Sequence, residues 1–196
     1  MSGGSNCTCI TFLLRLPILK MPLPPLCRQT LFCLLLFAMP SCAAEKNPPG
    51  DIPDDQVFVS YTSSAGGYSL KVPEGWARTE KGADVDFVDK LDGVAVSVAS
   101  ATAAPSAKDV AEGLAKPEKA VRVISTKDIR VPAGQALLIK YESDSEPNPV
   151  TNKRVRLENE ACVFYKNGKT ATLTFWAPKG ADNVDQWKLM SESFRW

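Results

Sequence analysis

There is no histidine among the 196 residues of the chain, and that absence decides much of its chemistry. Ser-His-Asp and Cys-His nucleophile pairs, His-ligated zinc and imidazole general bases are all excluded. A Ser-Lys pair survives in Ser125-Thr126-Lys127, because i and i+2 on a strand share a face. Nothing near Lys127 predicts the burial that would lower its amine pKa, so exposed strand polarity accounts for the same residues. Gly168-Lys169-Thr170 has the ending of a phosphate-binding loop, but Val163 stands where its first glycine belongs. The flanking pattern there is a hairpin, so the segment is expected to be a turn. Asp84, Asp86, Asp89 and Asp92 form an acidic group that invites a cation such as calcium. Asp89 falls on the opposite strand face from Asp84 and Asp86, and the calcium-loop spacing with its terminal glutamate is missing. A solvated strand edge with turn caps is the expectation.

Six cysteines suggest a disulfide framework until their positions are read. Cys7, Cys9, Cys27 and Cys33 lie in or before an apolar targeting run, and Cys42 lies just after it. Only Cys162 belongs to the folded part, so no intramolecular bridge is available and the core must hold the fold alone. Its predicted neighbours Phe164 and Leu173 are apolar, which raises a thiol pKa and makes Cys162 a packing residue. Lys153, Arg154 and Arg156 form a small basic group offset by Glu158 and Glu160 in the same strand. Trp76, Trp176 and Trp187 are expected as core anchors. No catalytic residue, metal site or cofactor is expected.

The amino-terminal region reads as an address. Residues 1–42 hold Arg15, Lys20 and Arg28 and no acid, while all 22 acidic residues lie beyond. Leu31 to Met39 is a nine-residue apolar run, about 14 Å as a helix and too short to span a bilayer. With Arg28 before it and Ser41, Ala43 and Ala44 after it, the run is a secretory signal core. The earlier stretch Ile10–Leu19 is broken by Arg15 and Pro17, and a start at Met21 gives a signal of ordinary length. Met39-Pro40-Ser41-Cys42 resembles a bacterial lipobox, although the pattern prefers Leu at the position of Met39. On that reading Cys42 is lipidated and becomes the mature terminus; the alternative is ordinary cleavage after Ala43 or Ala44. Residues 43–56 are Pro-rich and polar and read as a tether, leaving 57–196 as the globular domain.

Within that domain the pattern is of short strands and turns. Tyr68, Leu70 and Val72 alternate on one face, Val85 and Phe87 form a second strand, and Val94–Val98 a third after the turn at 89–93. Ser106 with Asp109 caps a helix carrying Val110 and Leu114 that Pro117 closes. Residues 121–131 and 136–141 are extended, and 142–153 form a polar loop. Asn167-Gly168 suits a type I′ turn between two long strands, pairing Lys166 with Lys169, Phe164 with Ala171 and Cys162 with Leu173. Both faces of that hairpin are too apolar to lie open, so the sheet needs cover on each side. A closing helix capped by Asp182 or Asn183 offers Val184, Trp187, Met190 and Phe194 as a stripe. The whole is an α+β domain: a mostly antiparallel sheet of about six or seven strands flanked by helices, an α/β/α sandwich.

Gly67-Tyr68 leading an alternating strand, then Pro73 and Trp76, resembles the opening of PsbP-like domains. Phe87-Val88-Asp89, the valine-rich strand 94–98, the strand 134–141, the long hairpin and the closing helix ending in Ser193-Phe194 continue the series. The resemblance covers about residues 66–196 and implies a central antiparallel sheet flanked by helices. Members of the family attach to photosystem II in thylakoids, Mog-type members bind a small GTPase, and many bacterial ones are lipoproteins. The shared theme implies a non-catalytic binding domain, and any histidine-based metal contacts of the family have no counterpart here.

The expectation is an extracytoplasmic protein held on a membrane through lipidated Cys42, with a membrane-associated protein as partner. The formal net charge of +1 lacks the basic footprint of a nucleic-acid binder. A small-molecule or cation carrier with a pocket between sheet and helix is the alternative, and a photosystem II accessory role follows only in a photosynthetic cell.

Overall fold

The computed structural model describes residues 49–115 and 117–196. The expected leader, with Met21 and Cys42, and the first residues of the expected tether lie outside them. In chain order the described residues form β1 (Phe58–Ser63), β2 (Tyr68–Pro73), β3 (Ala77–Lys81), β4 (Asp84–Asp89), β5 (Asp92–Ser100) and α1 (Ala107–Leu114). A 3-10 turn (Pro117–Lys119) follows, then β6 (Arg122–Val131), β7 (Gly134–Asp144), β8 (Arg156–Lys166), β9 (Lys169–Pro178) and α2 (Val184–Ser193). Seven strands make one sheet in the order β3-β4-β5-β9-β8-β7-β6, and β1 and β2 form a separate two-stranded sheet. Every pairing is antiparallel.

Local chemistry sets several of these elements. The β8–β9 turn places Asn167 and Gly168 at φ 50° and 73°, both positive as a two-residue turn of this hand requires. Lys166 then pairs with Lys169, Phe164 with Ala171 and Cys162 with Leu173, the expected register. In α1 the Asp109 N–H donates to Ser106 Oγ at 3.2 Å while the Ser106 N–H donates to Asp109 Oδ2 at 3.0 Å, a reciprocal capping box.

The two faces of the large sheet are covered unequally. On one face Val85, Phe87, Val94, Val96, Phe164, Leu173 and Phe175 meet β2 and α2, and all are buried. Phe194 sits under 1% exposed between Tyr68 and Phe164, its ring centroid 5.8 Å and 4.9 Å from theirs. Trp187 stacks on Phe175 at 6.0 Å. On the other face Ile139, Tyr141 and Ala161 form a smaller cluster under Val110 and Leu114, and α1 itself contains no buried residue.

Two expectations change here. Val184 does not join the α2 stripe but is 59% exposed, and Gln186 is buried in the same turn. The reason is the segment before β1: Gln186 Nε2 donates to the Ile52 carbonyl at 3.3 Å and to Asp54 Oδ1 at 3.2 Å. Asn183 begins α2 without capping it through its side chain, because that amide accepts from the Ile52 N–H and donates to the Gly50 carbonyl, both at 2.7 Å. Residues 50–56, assigned to the tether by composition, therefore pack on α2. The single apolar residue among them, Ile52, is 4% exposed.

Candidate functional site

A charged knot forms where β6, β7, β8 and the end of β9 meet. β7 places Glu142 with its side chain 11% exposed, and three cations converge on it. Lys179 Nζ lies 2.8 Å and Arg122 Nη2 3.0 Å from Oε1, while Arg156 Nη2 lies 3.2 Å from Oε2. Lys179 first, then Arg122 and Arg156, hold the Glu142 carboxyl down to about 2. Arg156 also donates to Asp144 Oδ1 at 3.0 Å and to the Ala120 carbonyl at 2.9 Å, tying the chain after α1 to the sheet. The buried Glu142 carboxylate is satisfied from within on both oxygens, while Arg122 and Lys179 reach it from the solvent side, which is the arrangement of a structural clamp. The basic group Lys153, Arg154 and Arg156 is thus not offset by Glu158 and Glu160 as expected. Arg156 leans across to β7, Arg154 donates to the Ser145 carbonyl at 2.7 Å, and Glu160 pairs with Lys140.

An open feature lies on the opposite face, bounded by the end of α1 at Gly113 and Leu114, the segment 143–155 and the sheet. It is a cavity of about 640 Å³ whose apolar wall comes from Leu91, Leu114, Val121, Leu157 and Trp176. Trp176 stands half-buried on this face and is not a core anchor as expected; its ring lies over Gly93, where an added Cβ would fall 2.1 Å from Cζ2. Tyr141 also lines it, 7% exposed, and its hydroxyl makes no hydrogen bond among the described residues. Burial alone pushes that phenol up to about 12. Beside it Asn159, 6% exposed, donates through Nδ2 to Ser143 Oγ at 3.0 Å and to the Tyr141 carbonyl at 3.2 Å. Those two acceptors fix which way the amide points, so Oδ1 has no donor among the described residues. The rim carries Lys90, Lys119 and Lys153 against Asp144 and Glu146.

The remaining sequence candidates stay apart. Ser125 and Lys127 are both exposed on β6, opposite Lys140 and Leu138. Gly168-Lys169-Thr170 is the β8–β9 turn and the start of β9. Asp84 accepts from the Val98 N–H at 2.8 Å, Asp86 and Asp89 are exposed, and Asp92 is 5% exposed. Desolvation raises Asp92 to about 6. Among the described residues no group of three or more His, Cys, Asp or Glu could hold a metal ion. Cys162 is buried at 2% exposure, and desolvation pushes its thiol up to about 12. The cavity is a feature the residues announce only through the unpaired apolar face of the β8–β9 hairpin, since its lining comes from five separated segments.

The profile of the PsbP family matches residues 56–195. The chain belongs to the PsbP family. Its structure is similar to the solution structure of cyanobacterial PsbP (CyanoP) from Synechocystis sp. PCC 6803. That match has a TM-score of 0.50 at 16% identity and covers 74% of this chain and 97% of the other. A crystal structure from Bacteroides thetaiotaomicron VPI-5482 aligns with a TM-score of 0.44 at 11% identity, covering 69% of this chain and 47% of that one. At 16% identity the likeness to CyanoP is one of fold. The curated proteins contain no match. PsbP-like domains are non-enzymatic accessory modules, extracytoplasmic or lumenal. Among the described residues of this PsbP-family chain, no helix is long and apolar enough to cross a membrane.

Proposed function

We propose that this PsbP-family chain is a lipid-anchored accessory module that binds a membrane-associated protein outside the cytoplasm and does no chemistry on it. The observation that carries the reading is the order of parts: a secretory signal core ending at the lipobox-like Met39-Pro40-Ser41-Cys42, a short polar stretch, then an accessory domain over 56–195. Two or three acyl chains on Cys42 would hold the domain at a bilayer surface, where a single chain binds only marginally. The polar groups of the domain support the same reading. Glu142 is saturated by its three cations and the Cys162 thiol is desolvated, so neither is poised as an acid, base or nucleophile.

Fractionation of cells expressing the full chain and its Cys42→Ser variant tests the anchor. The wild type should sediment with membranes and yield an acylated amino-terminal peptide by mass spectrometry, while the variant should be released. Cross-linking in native membranes then tests the partner. A membrane protein linked to wild type and lost in Cys42→Ser supports the reading. An unacylated terminus beginning at Ala44 or Glu45 overturns the anchoring, and turnover abolished by a single Ser, Lys or Asp change overturns the non-catalytic role.

A further inference from the structure

We propose that the cavity between α1 and the sheet is a binding site for a small amphipathic acid. Its ligand has an apolar body, a neutral hydrogen-bonding group at the inner end and an anionic group at the mouth. The proposal is independent of the anchor and of any protein partner. Three observations define the ligand class.

The first is the pair of unused polar atoms at the floor. Tyr141 and Asn159 are 7% and 6% exposed and line the cavity, and neither the Tyr141 hydroxyl nor Asn159 Oδ1 has a hydrogen-bond partner among the described residues, so both are open to whatever fills it. A phenol can donate or accept and an amide oxygen accepts, so together they suit a hydroxyl or an N–H. The second is the wall. Leu91, Leu114, Val121, Leu157 and Trp176 present aliphatic and indole surface around about 640 Å³. That volume is within the range of small-molecule sites, and apolar walls give ordered water few partners. The third is the charge at the mouth. Asp144 is paired with Arg156 at 3.0 Å and Lys119 with Glu146 at 3.0 Å, while Lys153 and Lys90, the latter beside Asp92, form no ion pair among the described residues. Two of the three rim lysines are therefore without an ion-pair partner among the described residues, and Lys153 is the one not flanked by carboxylates in sequence.

The site tolerates occupancy because of how it is roofed. α1, which lends Gly113 and Leu114 to the wall, contains no buried residue and rests on the sheet through Val110 and Leu114. A core so lightly covered leaves apolar sheet surface for a ligand to occupy.

The test uses the full chain with anilinonaphthalene sulfonate as the probe, and decanoate and decanol as competitors. Wild type should bind the probe saturably at one site, with decanoate displacing it at least about tenfold better than decanol. Amide shifts on binding should fall at Gly113, Leu114, Val121, Asn159 and the Trp176 indole. Leu114→Trp, which fills the cavity, should weaken binding by about tenfold or more. Tyr141→Phe should weaken a hydroxylated acid about three- to tenfold while leaving the melting temperature equal or higher, since it deletes a polar atom with no partner. Lys90→Gln with Lys153→Gln should weaken the anionic probe about threefold or more and flatten its salt dependence. Absence of saturable binding would mean that solvent alone fills the cavity and would overturn the site. So would undiminished binding in a folded Leu114→Trp chain, or shifts confined to other surfaces. Equal displacement by decanol and decanoate would overturn the acidic class.

Discussion

Arg156 and Glu142 are joined diagonally across β8 and β7, with guanidinium Nε at 3.3 Å and Nη2 at 3.2 Å from the same carboxylate oxygen. Arg156 is directly opposite Asp144 in the register and reaches Glu142 by leaning back along the strand. One side chain so placed links β7, β8 and the Ala120 carbonyl. The knot therefore fixes where the chain re-enters the sheet after α1.

Removing the charge of Glu142 should expose that dependence. Its carboxyl is held down to about 2 from an ordinary value of 4.5, so its contribution is present above that ordinary value and is lost as pH falls through about 2. Glu142→Gln leaves three cations around a neutral amide and should lower the melting temperature near neutrality by several degrees. The gap between variant and wild type should narrow on acidification, which thermal unfolding followed from about pH 7 to pH 2 would measure. A gap independent of pH would refute the assignment.

Asp92 acts with the opposite sign. Its folded value is raised from 3.8 to about 6 by desolvation, so the folded state loses stability as pH rises through that interval and the carboxyl ionises. Asp92→Asn should stabilise the chain by about 1 kcal/mol at roughly pH 8, a figure discounted for the solvent that still reaches the turn. The gain should vanish below about pH 4, as denaturant titrations at the two pH values would reveal.

Phe194 and Val184 were equal members of one expected stripe, and the structure separates them. Phe194→Ala removes a fully buried ring touching Tyr68 and Phe164 and should cost about 3–5 kcal/mol. Val184→Ala, at 59% exposure, should change stability by no more than about 0.5 kcal/mol. Equal losses in urea unfolding would contradict the placement of α2.

Cys162 should resist alkylation in the folded chain, since a thiol pushed up to about 12 offers almost no thiolate near neutrality. Iodoacetamide labelling of the Cys162 peptide, followed by mass spectrometry, should track the unfolded fraction across a denaturant series. Rapid labelling without denaturant would show that the strand pair is open.

The Trp176 ring over Gly93 gives a spectroscopic test of the cavity wall. Gly93→Ala should push the indole outward, shifting tryptophan emission to longer wavelength and costing about 1–3 kcal/mol. Emission unchanged from wild type would mean that the ring is not seated on that glycine.

These relationships differ in how far the sequence discloses them. The α1 cap and the β8–β9 turn are legible because Ser106 with Asp109, and Asn167 with Gly168, act over three residues or fewer. β3 is not, since Ala77-Arg78-Thr79-Glu80-Lys81 is exposed throughout and has no apolar alternation to read. The inner-face residues Tyr68, Leu70, Val85 and Phe87 are legible because period-two alternation marks a half-buried strand. The knot around Glu142 is hidden, because Arg122, Arg156 and Lys179 lie 20, 14 and 37 residues away and meet only through strand register. Tyr141 reads as one more apolar strand position, and only the unequal covering of the two faces turns it into the floor of a cavity.

That unequal covering also has a kinetic consequence. A helix of eight residues with none buried is drawn from the least protected part of the molecule, whereas β5, β9 and β8 lie at the centre of the sheet. Amide exchange across α1 should proceed through small, frequent excursions in which the helix lifts while the strands beneath stay paired. The part of the chamber wall that Gly113 and Leu114 supply then gives way on the timescale of one helix fraying, while the domain itself stays folded.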